Sequence, residues 1–270
     1  MLEIQSIRKT FHAGTPNEVR ALQGVDLTLD EGSFTVVIGT NGSGKSTLLN
    51  AVAGTFIVDE GNLRIGGTDV TNWPEHRRAS LVGRVFQNPF SGTAPSLTIA
   101  ENLALAARRG LSRGLGLALR SRFRSEMRDS IRTLNMGLED RIDNPIGTLS
   151  GGQRQALTLL MATWRKPQIL LLDEHTAALD PKSADQVIAL SDRIIARDRL
   201  TSLMVTHSMQ QAAGFGDRIV MMHRGKVIHD LRDKEKKRVR AAELLERFEE
   251  LRRSELLDES AAAMLERVYV

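Results

Sequence analysis

Short apolar runs and alternating patterns fill the first third of the chain. Residues 2–9, 25–29 and 34–38 read as strands, and "FTVVI" at 34–38 reads as a buried one. After "IGTNGSGKST" the period changes, and a helix is expected over about 45–53. Residues 61–65 with Gly66 and Gly67 read as a strand and turn, and 82–86 as another short strand.

From about 88 to 160 strand character is lost. Leu119, Phe123, Met127, Ile131 and Leu134 recur at helical spacing and predict one apolar helix face packed on a core. "RGLSRGLGLALR", just before it, reads as a loop with a short helix. Strand and helix then alternate: a strand at 169–172, a helix near 182–197, a strand at 202–205, a short helix after His207, and a hairpin of 218–222 with 226–229 over "HRGK". Such alternation predicts an α/β domain with a largely parallel sheet. From Asp233 onward charges of both signs mix. Two helical stripes persist there, Leu244, Phe248 and Leu251, then Leu257, Ala261, Met264 and Val268, and read as helices docked on the surface rather than a second domain.

Composition narrows the chemistry. The 270 residues are 41% hydrophobic and 26% charged, as in ordinary globular proteins. No cysteine is present, which excludes disulfides, cysteine–zinc sites and thiol catalysis. "MLEIQSIRKTF" carries charges inside its apolar stretch and does not read as a signal peptide. The longest apolar runs are far too short to cross a bilayer, so work at a membrane requires another chain to supply the spans. A formal net charge of +4 is too mild to indicate nucleic-acid binding. Arg108, Arg109, Arg113, Arg120, Arg122, Arg124, Arg128 and Arg132 crowd one segment, diluted by Glu126 and Asp129; this is either a solvated helix face or a surface for a membrane or acidic partner.

Gly39, Thr40, Asn41, Gly42, Ser43, Gly44, Lys45 and Ser46 match G-x-x-x-x-G-K-[ST] between an expected strand and an expected helix, the context the motif requires. The glycines let backbone N–H groups wrap phosphates at the helix N-terminus. Lys45 can reach the β- and γ-phosphates, the Ser46 hydroxyl can hold Mg²⁺, and Thr47 can reach an outer phosphate oxygen. In "LLLDEHTAALDP", Asp173, Glu174 and His175 could be metal ligands, a corrupted helicase box, or two carboxylates managing ATP beside an inert histidine. The helicase box needs its last residue three after the aspartate, where Thr176 stands. Ser150, Gly151, Gly152 and Gln153, in "LSGGQ", precede an apolar helix and form a second anion site at a helix N-terminus. One nucleotide rarely needs two such sites from one chain, which points to a head-to-tail dimer.

At these residues the sequence resembles the ATP-binding subunits of ABC transporters, over about 2–230, with the landmarks in order. The resemblance implies a P-loop NTPase of α/β class: a RecA-like core, an N-terminal antiparallel β subdomain and an α-helical subdomain at about 88–160, together spanning 1–232, plus a charged C-terminal helical extension at 233–270. It implies that Phe11 stacks on adenine, although a core phenylalanine fits the local sequence as well. Gln87 stands in the Q-loop, contacting Mg²⁺ and the attacking water and sensing the membrane subunit. Asp173 and Glu174 end the Walker B strand, the first holding Mg²⁺ through water and the second polarising the attacking water. Asp180 lies in the D-loop and touches the other subunit's site. His207 is the switch histidine on the γ-phosphate. "LDEHTAALDP" further resembles an uptake-type bacterial subgroup in which His175 replaces the usual proline; His175 is expected to shape the turn and supply no chemistry.

The resemblance implies an ATPase with ATP and Mg²⁺, pairing with a second copy, with separate membrane permease subunits, and with a periplasmic or extracellular solute-binding protein, without nucleic acid. It would sit in the cytoplasm, peripheral on the inner face of the membrane, and drive import, with an amino-acid-like substrate the weakest of these inferences. The other reading is a soluble single-cassette ABC ATPase of a cofactor-assembly complex.

Overall fold

A computed structural model describes residues 1–111 and 121–250. In chain order it has β1 Leu2–Phe11, β2 Val19–Leu29, β3 Phe34–Gly39, α1 Lys45–Ala53, β4 Glu60–Ile65, β5 Thr68–Asp69, α2 Glu75–Arg78, β6 Val82–Val85, α3 Ile99–Ala107, α4 Ser121–Arg132, α5 Gly151–Thr163, β7 Ile169–Asp173, α6 Pro181–Asp198, β8 Ser202–Val205, α7 Met209–Gly214, β9 Arg218–His223, β10 Lys226–Arg232 and α8 Asp233–Arg238. Arg113, Leu119 and Arg120, most of the expected loop with a short helix, Leu251, and the stripe from Leu257 to Val268 lie outside the described residues.

Two sheets form. The first, in the order β2-β1-β4-β5, is antiparallel. The second runs β10-β9-β3-β8-β7-β6 and is parallel except where β10 returns beside β9. Alternation places Leu2 and Ile4 inward on β1, and a register shift between Ile4 and Ile7 brings Ile7 back to the buried side. Continuous burial explains β3, all of whose residues are buried, because apolar layers cover both faces of a parallel sheet. On one face Val37, Leu171, Leu203 and Val205 pack with α1 and the antiparallel sheet. On the other Val36, Ile38, Leu172 and Met204 pack with α5 and α6. The stripe on α4 joins that second layer through Met127 and Ile131, while Arg124 pairs with Asp143 and Arg132 with Asp129.

The C-terminal segment docks on the same layer. Residues 241–250 are helical, Leu244 and Phe248 are buried, and the Lys236 ammonium donates to the Ala213 carbonyl near the end of α7 at 2.7 Å. Among the described residues no helix is long and apolar enough to cross a membrane.

Three features of the sheet edges fix the site. Gly44 has φ +97°, and a Cβ there would lie 2.5 Å from the Ala21 carbonyl, so β2 presses directly on the loop before α1. The turn between β9 and β10 braces the same loop, with the Gly225 N–H donating to the Ser43 carbonyl at 3.0 Å. Fully buried Arg78 donates to the Ala51, Val52, Trp73 and Thr71 carbonyls, closing the C-terminal end of α1 with a guanidinium. Burial pulls the Arg78 pKa down to about 10.

Candidate nucleotide-hydrolysis site

The glycine-rich loop leaves β3 and ends at α1. Helices α3, α5 and α6 begin on side-chain caps from Thr98, Ser150 and Asp180; α1 begins on Gly44 with no side-chain cap. Its first-turn amides therefore suit an external anion. Among the described residues the buried Ser43 hydroxyl has no hydrogen-bond partner. The buried Lys45 ammonium donates to the Gly39 and Thr40 carbonyls at 2.8 and 3.0 Å, folded back over the loop. Burial lowers the Lys45 pKa, against the opposing pull of Glu174 and Asp173.

Those acids sit at the end of β7. Asp173 Oδ2 lies 3.3 Å from Arg84 Nη2 on β6, and the same guanidinium nitrogen donates to Asn50 of α1 at 2.6 Å. Burial raises the Asp173 pKa, with Arg84 and Lys45 opposing it. Glu174 Oε2 is the meeting point: Gln87 Nε2 donates to it at 3.3 Å and His207 Nδ1 lies 3.3 Å away. Four elements far apart in sequence thus bring Lys45, Gln87, Asp173, Glu174 and His207 together. Ser46, Asp173 and Gln87 can each offer an oxygen, which suits a hard divalent cation completed by phosphate oxygens.

His175 belongs elsewhere. It is 2% exposed, and its Nε2 lies 2.9 Å from Ser191 Oγ on α6, which donates to the Val187 carbonyl. The metal-ligand reading of the Asp-Glu-His run therefore fails at its third residue. Burial pulls the His175 pKa from 6.5 down to about 4, so the folded state binds fewer protons than the unfolded chain between those values. Its contribution is complete above about pH 6.5 and is lost as pH falls toward 4. At roughly 1.4 kcal/mol per pKa unit it amounts to about 3 kcal/mol. His175→Gln, which keeps a partner for Ser191 but does not titrate, is expected to flatten the pH dependence of urea unfolding between about pH 4.5 and 7; an unaltered slope would contradict this.

Ser150, Gly151, Gly152 and Gln153 begin α5. Ser150 accepts from the Gln153 N–H while Gln153 accepts from the Ser150 N–H, a capping box that the motif alone does not reveal. A cleft of about 370 Å³ beside them is lined by Asn135, Met136, Ser183 and Gln186, none of them from the phosphate loop. Asp180 is exposed and caps α6 by accepting from the Ser183 N–H; hydrogen bonding to the Ser183 hydroxyl, then to its N–H, lowers the Asp180 pKa. Phe11 ends β1, half-buried and edge-on to Phe56 at 5.4 Å, with the Lys9 ammonium 5.7 Å from its ring centre.

The motifs do not point to the residues that hold them in place. Arg84 on Asp173, Gln155 donating to the Phe86 carbonyl, and Arg154 stacked 4.0 Å from the Phe90 ring tie the Q-loop to its surroundings. Their signals are single polar residues inside apolar elements, which become informative only once the elements are assembled.

A glycine-rich loop on a helix N-terminus, facing two acids at a parallel strand end, defines a nucleoside triphosphatase of the phosphate-loop class. The family model described as ABC transporter matches residues 22–177. The chain is 41% identical over 251 residues to a tyrosine transport ATP-binding protein of Clostridioides difficile (strain R20291), covering 92% of this chain and 99% of that one. It is 36% identical over 237 residues to the lipoprotein-releasing system ATP-binding protein LolD 1 of Caulobacter vibrioides, covering 86% and 97%. Among solved structures it resembles the dimeric ABC transporter cassette MJ0796, with TM-score 0.73 and 29% identity over 86% of this chain and 98% of that one. The same cassette in a dimeric post-hydrolysis state bound to ADP and Pi gives TM-score 0.72. The chain belongs to the ABC transporter family and is an ATP-binding, ATP-hydrolysing subunit of it.

Proposed function

We propose that the protein is the motor of an uptake system for an amino-acid-like solute, working as a head-to-tail pair with ATP held between the phosphate loop of one copy and Ser150 to Gln153 of the other. The observation that supports the pairing is that the cleft at Ser150 to Gln153 is lined by no residue of the phosphate loop, so one chain does not bring the two segments to a single nucleotide. Lys45 and the α1 amides neutralise phosphate charge. Ser46 and Asp173, with Gln87, would hold Mg²⁺, which would offset the phosphate charge. Glu174 takes up the proton of the attacking water, with Gln87 and His207 fixing its carboxylate. Asp180 faces the second copy, and the Phe11 ring offers a π-face to adenine. Residues 1–232 form the ATPase domain, and 233–270 an extension attached to it.

Separate permease subunits supply the membrane path, and this chain works on its cytoplasmic side. A groove of about 520 Å³ next to the Q-loop, lined by Phe86, Leu105, Ala106, Arg109 and Met161, supports a permease seat there. Exposed Phe90 and Leu105 stand at 58% and 60% accessibility, unusual for side chains of their size.

Import is supported by the phosphonates import and sulfate/thiosulfate import relatives and an amino-acid-like substrate by the tyrosine transport relative, and a solute-binding protein would deliver that substrate. The lipoprotein-releasing relative favours the opposite direction. Deleting the gene in its native host is expected to abolish ATP-dependent accumulation of labelled aromatic amino acids. Normal uptake of every amino acid tested, with lipoproteins retained in the inner membrane, would overturn import and favour release.

A further inference from the structure

We propose that Gln211 is a positioning residue for ATP hydrolysis, holding the Glu174 and His207 turns in register. The inference rests on the roles proposed for Glu174 and His207 in hydrolysis.

Glu174 has φ +42°, in the left-handed region that a non-glycine residue occupies only when its surroundings over-determine it. Its own backbone is fixed by donation to the Val205 carbonyl at 3.0 Å and acceptance from the Ala177 N–H at 2.9 Å. The next two residues are anchored to different helices. His175 reaches α6 through Ser191, and the Thr176 hydroxyl reaches α7. His207 has no comparable burial, its side chain being 62% exposed, so the loop around it must set its position.

Gln211 joins the two turns. Its Nε2 donates to Thr176 Oγ1 at 3.0 Å, and its Oε1 accepts from Thr206 Oγ1 at 2.8 Å. Thr176 lies two residues after Glu174, and Thr206 immediately before His207. Both threonines are buried, at 6% and 3% exposure. The Thr206 hydroxyl also accepts from the Ser208 N–H at 3.1 Å, so its proton is directed at Gln211. Ser208 in turn caps α7 by accepting from the Gln211 N–H at 3.2 Å. An amide supplies both the donor and the acceptor that these hydroxyls require, and Thr176 lies 35 residues from Gln211 along the chain. An exposed helix glutamine would need neither. Because His207 Nδ1 and Glu174 Oε2 stand 3.3 Å apart, a shift of either turn changes a contact that orients the Glu174 carboxylate.

Gln211→Met keeps the length of the side chain and removes both bonds. Displacement of about 1 Å near a reacting group can cost on the order of a hundredfold in rate, so kcat for ATP hydrolysis is expected to fall roughly tenfold or more. ATP affinity is expected to stay near that of the unmodified protein, and the melting temperature to fall only by several degrees, because two buried hydroxyls lose a partner. Gln211→Glu, which can accept from both threonine hydroxyls, is expected to restore most of kcat. In a His207→Ala background Gln211→Met should add less than it costs in the unmodified protein, because one of the two turns it holds no longer carries a reacting group. A normal kcat in Gln211→Met beside an impaired His207→Ala overturns the role of Gln211 alone. A full additional loss in the double variant, or a fall in kcat matched by equal losses of ATP affinity and melting temperature, also overturns it. A normal kcat in His207→Ala overturns both this inference and the reading beneath it.

Discussion

Glu174→Gln is expected to cut steady-state ATP hydrolysis by roughly a hundredfold or more, the scale of a lost general base, while ATP still binds. Glutamine keeps the shape of the side chain and can still be held by Gln87, whose amide reaches Glu174 Oε2 at 3.3 Å. It removes the basic carboxylate that takes the water's proton. With hydrolysis blocked, the closed pair loses its route to reopening and should accumulate with ATP. Phosphate release measured under saturating ATP and Mg²⁺ checks the first part, and turnover close to that of the unmodified protein would remove Glu174 from the chemistry.

The second large effect concerns binding. Lys45 is buried and donates to two carbonyls of its own loop, at 2.8 and 3.0 Å. Bound phosphate replaces those acceptors with charged ones. Hydrogen bonds to charged groups contribute about 2 kcal/mol, so Lys45→Ala is expected to weaken ATP binding roughly thirtyfold. The substitution also leaves Asp173 and Glu174 facing the phosphates without the cation that offsets them. Titration with a fluorescent ATP analogue measures this, and an unchanged affinity would contradict the role of the loop.

Much of this architecture is legible in the sequence because its patterns are local. The "FTVVI" run, the phosphate loop with the helix after it, and the hairpin over "HRGK" each contain their own signal. Where the signal is interrupted, the pattern falls short. Only residues 25–29 read as a strand from sequence, whereas β2 begins at Val19, because a bulge near Gln23 and Gly24 breaks the alternation. Helix α3 does not stand out either, although Thr98 and Glu101 form a capping box; its buried Ile99, Ala100, Leu103 and Ala104 share one face, but the apolar Leu105, Ala106 and Ala107 continue onto the outer side and blur the pattern.

The candidate site obeys the same rule. Motif residues announce themselves by spacing, but their supports do not. Nothing near Gln211 in sequence refers to Thr176, and nothing near Arg84 refers to Asp173. His175 is the converse case: adjacent to the acids in sequence, it turns into the core toward Ser191. Adjacency along the chain suggests a three-residue centre, but the strand ends at Asp173 and the left-handed backbone of Glu174, φ +42°, turns the chain so that His175 leaves the acids.

The central claim is that two copies enclose the nucleotide, each lending its Ser150 to Gln153 segment to the other's phosphate loop. Sedimentation of Glu174→Gln tests it most directly. With ATP and Mg²⁺ the protein should run at twice the protomer mass, with ADP at the protomer mass, and adding Ser150→Arg should return it to the protomer mass while ATP remains bound. A single protomer mass with ATP, or a dimer indifferent to Ser150→Arg, would contradict the account.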